Sequence, residues 1–240
     1  IVKAARLLAK TPMTIIAGKT IQDHPEYDAI VNALGNITVL TGNSGNLNIP
    51  GLDVNTQGAM DMGVLPDVAP GYAPLEKPGL NTKQMLEAAS QGELALLWLV
   101  GTPLLEEYGD KALAQKALEN CPFVVVNELS LTETAQQADL VLPAASFAEK
   151  DGTFTNCERR VQRIYKAFEI SQEIKPDWLI FSEVSARLGG GAPFFSPRDI
   201  LRAIAAQVPV YANINLKSLG DEGIRWEYAV EAPAPNLVVD

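Results

Sequence analysis

The chain has 240 residues and a formal net charge of −10, with 19 Lys and Arg against 29 Asp and Glu. This length corresponds to one large or two small domains and can bury a substantial core. The basic residues are scattered along the sequence, so there is no basic stripe of the kind that binds nucleic acid or anionic lipid.

The first forty residues contain three predicted elements. The chain begins without methionine, in a helix-like run, IVKAARLLAK, so we expect it to be a piece of a longer protein. An apolar run at Met13–Ala17 predicts a strand. Pro25–Leu34 has an apolar stripe with proline at its start and Gly35 after its end, which predicts a helix. The β-branched run Ile37–Leu40 predicts a second strand.

A long segment without periodicity follows, over residues 41–81, and it is rich in Gly, Asn and Pro. Segments of this length inside a compact domain are usually functional or disordered. Because its charge is low and it holds apolar anchors such as Leu47, Leu52 and Met60, we expect it to be ordered and packed over the sheet.

Short apolar strands then alternate with helices, which is the pattern of a parallel, doubly wound sheet with right-handed crossovers. Leu94–Val100 is apolar throughout, as in a strand buried on both faces, so we expect it at the sheet centre together with Phe123–Val126. The remaining predicted elements are a helix from Thr82 to Gln91, a helix from Asp110 to Glu119, a short helix to Gln137 with a capping box of Ser130 and Glu133, and a strand at Leu140–Leu142.

The last third of the chain changes character after Asp151. Thr153–Ile164 predicts an irregular β hairpin. Two helices follow, one from Pro176 and one from the start signal Ser196-Pro197-Arg198-Asp199. We therefore expect one α/β domain over residues 1–230, doubly wound and mainly parallel, with a long irregular insertion and C-terminal helices, and a frayed tail over residues 231–240.

The chain lacks the residues of a metal centre or a hydrolase. Cys121 and Cys157 are the only cysteines and His24 is the only histidine. These residues cannot supply the four thiolates of an iron–sulfur cluster or close a zinc site. Cys121 precedes an apolar strand and is expected in the core, and His24 is expected to cap a helix. No apolar run approaches the roughly 20 residues that a membrane-spanning helix needs.

The segment from Ala138 to Ile164, ADLVLPAASFAEKDGTFTNCERRVQRI, carries the strongest functional signal. It combines a strand stopped by Pro143, the turn Asp151-Gly152, the β-rich run Thr153–Asn156 and Glu158 ahead of two arginines. This string resembles the molybdopterin oxidoreductase superfamily, and the resemblance covers about residues 16–226. The superfamily includes formate dehydrogenase catalytic subunits and the large peripheral-arm subunit of respiratory complex I, the NADH-quinone oxidoreductase.

Ligands of an open α/β sheet bind outside the carboxyl ends of its strands, and free N–H groups at helix N-termini suit phosphate. In the superfamily these loops hold one pterin guanine dinucleotide. The resemblance therefore implies eight cofactor-binding candidates, each of which could also be a plain structural residue: Gly101, Glu128, Thr132, Thr134, Asp139, Gly152, Thr153 and Asn156. No catalytic residue or metal ligand is expected.

Several positions depart from the superfamily pattern. Gly101-Thr102-Pro103 stands where Gly-x-Asn-Pro is frequent, and Asn127-Glu128 stands where Gln-Asp is common. Arg159 occupies a usual glycine position. The Arg-Gly-x-Asn-Asn run that precedes Val-Gln-Gly in formate dehydrogenases is broken in residues 51–58, where the arginine and one asparagine are missing. Missing motif residues of this kind are expected in a domain that keeps the fold of the superfamily but no longer binds its cofactor.

The resemblance therefore implies first a scaffold domain of the large peripheral-arm subunit of complex I, inactive alone and without cofactor, whose parent chain carries iron–sulfur clusters elsewhere. Its partners would be other peripheral-arm subunits, without nucleic acid or direct membrane insertion, in the cytoplasm at the inner face of the membrane. The alternative is part of a molybdenum or tungsten bis-molybdopterin guanine dinucleotide oxidoreductase such as formate dehydrogenase. A third possibility is a free-standing nucleotide-binding α/β module.

Overall fold

The computed structural model describes residues 2–10, 12–22, 24, 26–51, 53–171 and 173–227. Within these ranges, helices and short strands alternate along most of the chain. The helices are α1 (Val2–Leu8), α2 (Lys19–Gln22), α3 (Tyr27–Leu40), α4 (Thr56–Asp61), α5 (Thr82–Ser90), α6 (Leu104–Glu107), α7 (Lys111–Asn120), α8 (Glu133–Gln136), α9 (Asp177–Arg187) and α10 (Pro197–Gln207). The strands are β1 (Ile15–Ile16), β2 (Leu47–Asn48), β3 (Val68–Ala69), β4 (Ala73–Pro74), β5 (Leu97–Val100), β6 (Val124–Glu128), β7 (Leu140–Pro143), β8 (Gly152–Thr155), β9 (Arg160–Ile164) and β10 (Ile224–Arg225).

A parallel sheet of order β5-β6-β7 organises the middle of the chain, which confirms the predicted α/β class. β1 and β2 form a second, two-stranded parallel pair. Val124, Val125 and Val126 of β6 are all buried, as expected for a central strand. Helices α5 and α7 pack together over one face of this sheet, and Leu86, Ala117 and Leu118 are buried there with Leu97 and Leu99.

The expectation that Leu94–Val100 lies at the sheet centre was wrong, because β5 is an edge strand of this sheet. Leu97 and Leu99 are buried, whereas Trp98 is half-buried and Val100 is exposed. The Trp98 ring meets Phe181 of α9 edge-on, with a centroid distance of 5.3 Å. Trp98 is thus partly covered by α9, whereas Leu96 and Val100 remain exposed. A continuous apolar run does not distinguish this environment from a central position.

The strand predicted at Ile37–Leu40 is instead the last turn of α3, which continues past Gly35. Thr38 Oγ1 donates a hydrogen bond to Gly35 O at 2.7 Å, and Thr41 Oγ1 donates to Ile37 O at 2.8 Å. These bonds satisfy carbonyl groups near the helix end, and the buried Thr38 extends the apolar stripe of Ile30 and Leu34. The spacing of the stripe prevails over the strand preference of β-branched residues.

The caps of two helices differ by one or two residues from those predicted. Asn81, rather than Thr82, caps α5 and shares a capping box with Gln84. Thr132, rather than Ser130, caps α8 by accepting from Ala135 N. Asp110 and Ser196 cap α7 and α10 as predicted. His24 accepts from Glu26 N just before α3, whereas Pro25 and the tail over residues 231–240 lie outside the described residues.

The described residues of the segment 41–81 include β2, α4, β3, a 3₁₀ turn at Pro70–Tyr72 and β4, so this segment does not run as a structureless loop. Its helix α4 packs on β8, in the antiparallel sheet of order β10-β9-β8 that contains the predicted hairpin. Asn55 Oδ1 accepts a hydrogen bond from Thr155 N at 2.8 Å. The segment thus packs on the antiparallel sheet, and its contacts fix the position of the β8–β9 hairpin.

The fully buried carboxylate of Asp61, at the end of α4, accepts hydrogen bonds from four uncharged donors. Gln57 Nε2 and Tyr72 OH donate to Oδ1 at 2.8 and 2.7 Å. Tyr211 OH and Trp226 Nε1 donate to Oδ2 at 2.7 and 3.0 Å. These donors come from segments as far as 165 residues away in sequence. One buried acceptor therefore joins α4 to the C-terminal part of the fold.

Two of the donors to Asp61, Tyr72 and Tyr211, have unusual local properties. Tyr72 has φ of 64°, in the left-handed region that side chains other than glycine rarely adopt. Burial raises the pKa of the Tyr211 phenol and the Asp61 carboxylate raises it further, against a lowering by its hydrogen bond with Thr155. Tyr211 therefore remains protonated and available as a donor across the ordinary pH range.

We expect Asp61→Ala to lower the free energy of unfolding by about 3 kcal/mol or more, because it leaves several buried donors without an acceptor. Asp61→Asn should cost less but still destabilise, since its amide nitrogen would face donors. Urea denaturation monitored by tryptophan fluorescence measures both changes. The control Asp67→Asn, at an exposed position, should remain within about 0.5 kcal/mol of the parent. Equal losses for the Asp61 and Asp67 variants would contradict the assigned role.

Candidate functional site

The carboxyl ends of β5, β6 and β7 lie side by side and form one ledge, which we call the strand-end ledge. Gly101 N donates to Asn127 O at 2.9 Å, and Ala144 N donates to Glu128 O at 3.1 Å. Gly101 has φ of 56°, and no atom lies within 4 Å of where a β-carbon would stand. The structure therefore brings Gly101 and Glu128 together at the edge where ligands of open α/β sheets bind.

Two side chains on this ledge hold buried polar atoms without partners in the described part of the chain, Asn127 Nδ2 and Glu128 Oε2. Asn127 Oδ1 accepts from Trp98 Nε1 at 2.9 Å, and since an indole only donates, this bond assigns the amide orientation. Glu128 Oε1 accepts from Leu129 N at 2.8 Å, which leaves its second oxygen unused. Unsatisfied buried polar atoms are costly and uncommon, so they mark this ledge as a candidate site.

Thr132 and Thr134 start α8, but their hydroxyls are engaged within the protein. Thr132 Oγ1 caps α8, while Thr134 Oγ1 accepts from Leu105 N and donates to Glu106 Oε2 at 2.8 Å. Glu106 Oε1 also accepts from Glu133 N at 2.7 Å. A carboxylate of this chain therefore occupies the place at the start of α8 where a phosphate was expected.

The pKa of Glu106 reflects this arrangement. Burial acts to raise the pKa, but the hydrogen bonds from Thr134 Oγ1 and from backbone N–H groups outweigh it, and the net effect lowers the pKa. The carboxylate is consequently charged at neutral pH and reinforces the junction between α6 and α8.

Asp139 lies at the opposite end of the sheet from the strand-end ledge, just before β7. Its Oδ2 accepts from Val124 N at 2.7 Å, and its own N–H donates to Val124 O at 3.0 Å. These bonds join the amino ends of β6 and β7. Asp139 is therefore placed to align two strands, and the structure does not bring it to the ledge.

Gly152, Thr153 and Asn156 lie in the β8–β9 hairpin and its turn. Gly152 and Thr153 line a cavity of about 290 Å³ beside the ion pair of Lys150 and Asp177, whose charged atoms are 2.6 Å apart. Asn156 Oδ1 accepts from the backbone N–H groups of Glu158 and Arg160, so it shapes the turn.

A groove of about 490 Å³ lies beside the Asn156 turn, and its walls include residues 48–51, 53, 54, 56, 57 and 60 together with the hairpin. The broken superfamily run over residues 51–58 therefore meets the Gly-Thr-Phe-Thr-Asn run in space. A β-carbon at Gly58 would stand 2.3 Å from Asn55 Oδ1, so only glycine fits there while Asn55 binds β8. Arg159 has φ of 64°, and its guanidinium lies over the Trp226 ring at 5.4 Å. The usual glycine conformation is thus retained with an arginine that packs on Trp226.

Sequence reasoning missed Glu106, Asn55 and the role of Asn127. The bonds that identify Asn55 and Glu106 link residues 100 and 27 or 28 positions apart, respectively. No local pattern signals such contacts. Only the position of Asn127 directly before Glu128 at a strand end could have drawn attention to it.

Two broader features concern metals and membranes. Among the described residues, no group of three or more His, Cys, Asp and Glu side chains is arranged to hold a metal ion. Cys121 is buried, as predicted, and Cys157 is exposed. In the same part of the chain, every helix is too short or too polar to cross a membrane.

The sequence of this chain is similar to that of proteins of one known family. The family model described as molybdopterin oxidoreductase matches residues 2–187. The chain is 39% identical over 222 residues to the F420-dependent formate dehydrogenase 2 subunit alpha of Methanococcus maripaludis, covering 82% of this chain and 32% of that protein. It is 37% identical over 233 residues to a putative formate dehydrogenase of Staphylococcus haemolyticus, covering 87% of this chain and 24% of that protein. The chain thus spans a quarter to a third of the length of these relatives.

A solved structure confirms the fold. Acetylene hydratase from Pelobacter acetylenicus superposes with a TM-score of 0.66 over 90% of this chain and 35% of that one, at 16% sequence identity. At this level of identity the similarity shows the architecture and carries no information on substrate.

The Glu106 contact predicts a pH-dependent contribution to stability. Because its pKa is lower in the folded chain than the ordinary value of 4.5, its contribution is complete above that value and disappears as the pH falls through the folded-state pKa. We expect Glu106→Gln to lower the melting temperature at pH 7, and this effect to shrink as the pH is lowered below 4.5. Differential scanning calorimetry against pH measures this. Glu107→Gln, at the next exposed residue, is the control, and a pH-independent effect of Glu106→Gln would contradict the assignment.

Proposed function

The chain belongs to the molybdopterin oxidoreductase family, and from this membership we propose that it is part of the catalytic subunit of a formate dehydrogenase-like oxidoreductase. Its cofactor would be a molybdenum or tungsten ion held by molybdopterin guanine dinucleotide. The names of its relatives support this proposal, because the two quoted above are formate dehydrogenases. These names favour the formate dehydrogenase-like alternative, which the sequence also predicted. They do not favour a scaffold domain of the peripheral arm of complex I.

The observation that carries the proposal within this chain is Glu128 at the strand-end ledge. Its Oε2 is buried and has no partner within the described residues, although its other oxygen is bound. Guanine presents N–H donors on one edge, and a carboxylate accepts such donors well. A guanine nucleotide would therefore supply donors to this oxygen.

Gly101 is suited to the same ligand. Its backbone conformation favours glycine, and the space around its missing side chain is open. A glycine at the end of a strand lets a ligand approach the backbone closely. We propose that Gly101 and Glu128 hold the guanine end of the cofactor, while Gly152, Thr153 and Asn156 of the hairpin are candidates for its other parts.

The start of α8 does not fit a phosphate, because Glu106 already accepts from Glu133 N and Thr134 Oγ1. A phosphate there would compete with an anion of the protein. Thr132 and Thr134 are therefore better explained as positioning residues that hold α8 against α6 beside the ledge. The cofactor phosphates would be held by other groups of the complete protein.

The cofactor and the residues of this chain would contribute different parts of the reaction. The bound metal and its pterins would supply the two-electron redox chemistry of formate oxidation. Glu128 and Gly101 bind and orient the nucleotide end of the cofactor. Glu128 accepts hydrogen bonds from the N–H groups of the base, and Gly101 leaves room for the base. The residues that would act on formate are proposed to lie in other parts of the protein.

Glu128 provides the direct test. We expect the protein, purified in its complete chain, to release GMP on acid hydrolysis and to contain molybdenum or tungsten. Glu128→Ala should reduce the bound guanine nucleotide at least about tenfold, the factor that corresponds to one good hydrogen bond with a charged group. Quantitative chromatography of the released nucleotide, elemental analysis and formate oxidation are the readouts.

Glu93→Ala is the matched control, since Glu93 is exposed and lies near the amino end of β5. Circular dichroism establishes that both variants are folded. Complete protein that carries neither guanine nucleotide nor metal would contradict the proposed function. Nucleotide content that is unchanged by Glu128→Ala would contradict the role of Glu128 while leaving the family assignment intact.

A further inference from the structure

A groove with four basic side chains lies away from the strand-end ledge, next to α10. Its volume is about 620 Å³, and Arg163, Arg198, Arg202 and Lys217 line it together with apolar residues and Asn215. We call it the basic groove. Of the described residues that line it, none is acidic. Asp151 and Asp199 lie in the adjoining pocket rather than in the groove itself, so the groove concentrates positive charge in a chain whose net charge is −10.

The fold assembles this groove from three separate segments. Arg198 and Arg202 are one turn apart on α10, so they share a face of that helix. Arg163 comes from β9, where it pairs with Thr153, and Lys217 comes from the segment after the 3₁₀ turn at Pro209–Tyr211. Elements that are fixed by the core thus bring the four cations together.

These cations are largely free of partners inside the protein. In the described part of the chain, the side chains of Arg198 and Lys217 form no ion pair or hydrogen bond. Arg202 Nη1 lies 3.6 Å from Asp199 Oδ1, a contact that is exposed and therefore weak. The Arg163 guanidinium lies over the Tyr165 ring at 4.2 Å, a contact that leaves its charge uncompensated. Like charges that share one groove repel each other, and a bound anion would relieve that repulsion.

The floor of the groove determines what kind of anion fits. Leu201, Ala205, Ile214 and Leu216 line it, and both Leu201 and Ile214 are buried members of the hydrophobic cluster around Val161. An apolar floor with a cationic rim suits a ligand that has an organic body and a charged end. The volume lies within the range of about 300 to 1,000 Å³ that is typical of small-molecule sites.

We propose that the basic groove is a binding site for a phosphorylated organic anion of about the size of a mononucleotide. Guanidinium groups bind phosphate oxygens through paired N–H donors, and the lysine adds a mobile positive charge. The apolar floor contacts the organic part of the ligand. This site is separate from the ledge of Glu128 and does not depend on the proposed function.

Isothermal titration calorimetry of the full chain with ADP and with inorganic pyrophosphate tests the proposal. We expect ADP to bind with a Kd below about 1 mM at low ionic strength, and about threefold or more tightly than pyrophosphate, because only ADP also contacts the apolar floor. Affinity should fall as salt is raised from about 20 to 200 mM, since the rim is exposed to solvent.

The double variant Arg198→Gln/Lys217→Gln should weaken ADP binding at least about tenfold. Neither side chain supports the fold, so the variant should melt at the temperature of the parent. The control Lys77→Gln/Lys116→Gln removes the same charge from exposed positions outside the groove and should leave the Kd within about twofold.

Four outcomes would overturn the proposal. They are a lack of saturation at about 10 mM ADP, equal weakening by the two double variants, pyrophosphate binding as tight as ADP binding, and tighter binding of an oligoglutamate peptide than of ADP. The third outcome would reduce the groove to a site for simple anions. The fourth would identify an acidic protein segment as its occupant.

Discussion

The buried carboxylate of Asp61 is the interaction on which the C-terminal half of the structure depends. A carboxylate without exposure to water is tolerated only when hydrogen bonds replace its hydration, and here four donors from distant segments do so. Because none of these donors carries a charge, the geometry of each bond has to be maintained by the packing around it. The same packing holds the insertion over residues 41–81 against the β8–β9 hairpin.

Local patterns were sufficient to predict the parallel sheet, the β8–β9 hairpin and helices α7, α9 and α10. These elements have clear apolar spacing and recognisable caps, such as Asp110 and Ser196. The errors occurred where tertiary contacts decide between two local preferences. Ile37–Leu40 could form a strand, but the apolar stripe of α3 extends the helix. The run at Leu94–Val100 is apolar on both sides, but only Leu97 and Leu99 are buried in the core, while Trp98 meets Phe181 and Leu96 and Val100 are exposed.

The candidate site was less predictable than the fold, because its chemistry depends on which side chains the fold leaves without partners. Gly101 and Glu128 could be proposed from their position after two strands. That Thr134 is engaged by Glu106, or that Asp139 lies at the other end of the sheet, follows only from contacts across the fold. A residue type at a strand or helix end is therefore a hypothesis about position, and the hydrogen-bond inventory of the folded chain decides whether a ligand has anything left to bind.

The distribution of charge also depends on contacts across the fold and not on the order of residues in the sequence. The basic residues are scattered in sequence, yet the fold gathers Arg163, Arg198, Arg202 and Lys217 around one groove. Its floor includes Leu201 and Ile214, which belong to the same hydrophobic cluster as Tyr211 and Trp226. Since Tyr211 and Trp226 bind Asp61, the basic groove and the Asn156 groove depend on one buried anchor. The ledge of Glu128 depends instead on the core between α5, α7 and the parallel sheet. Binding regions with different chemistry can therefore change separately within this chain.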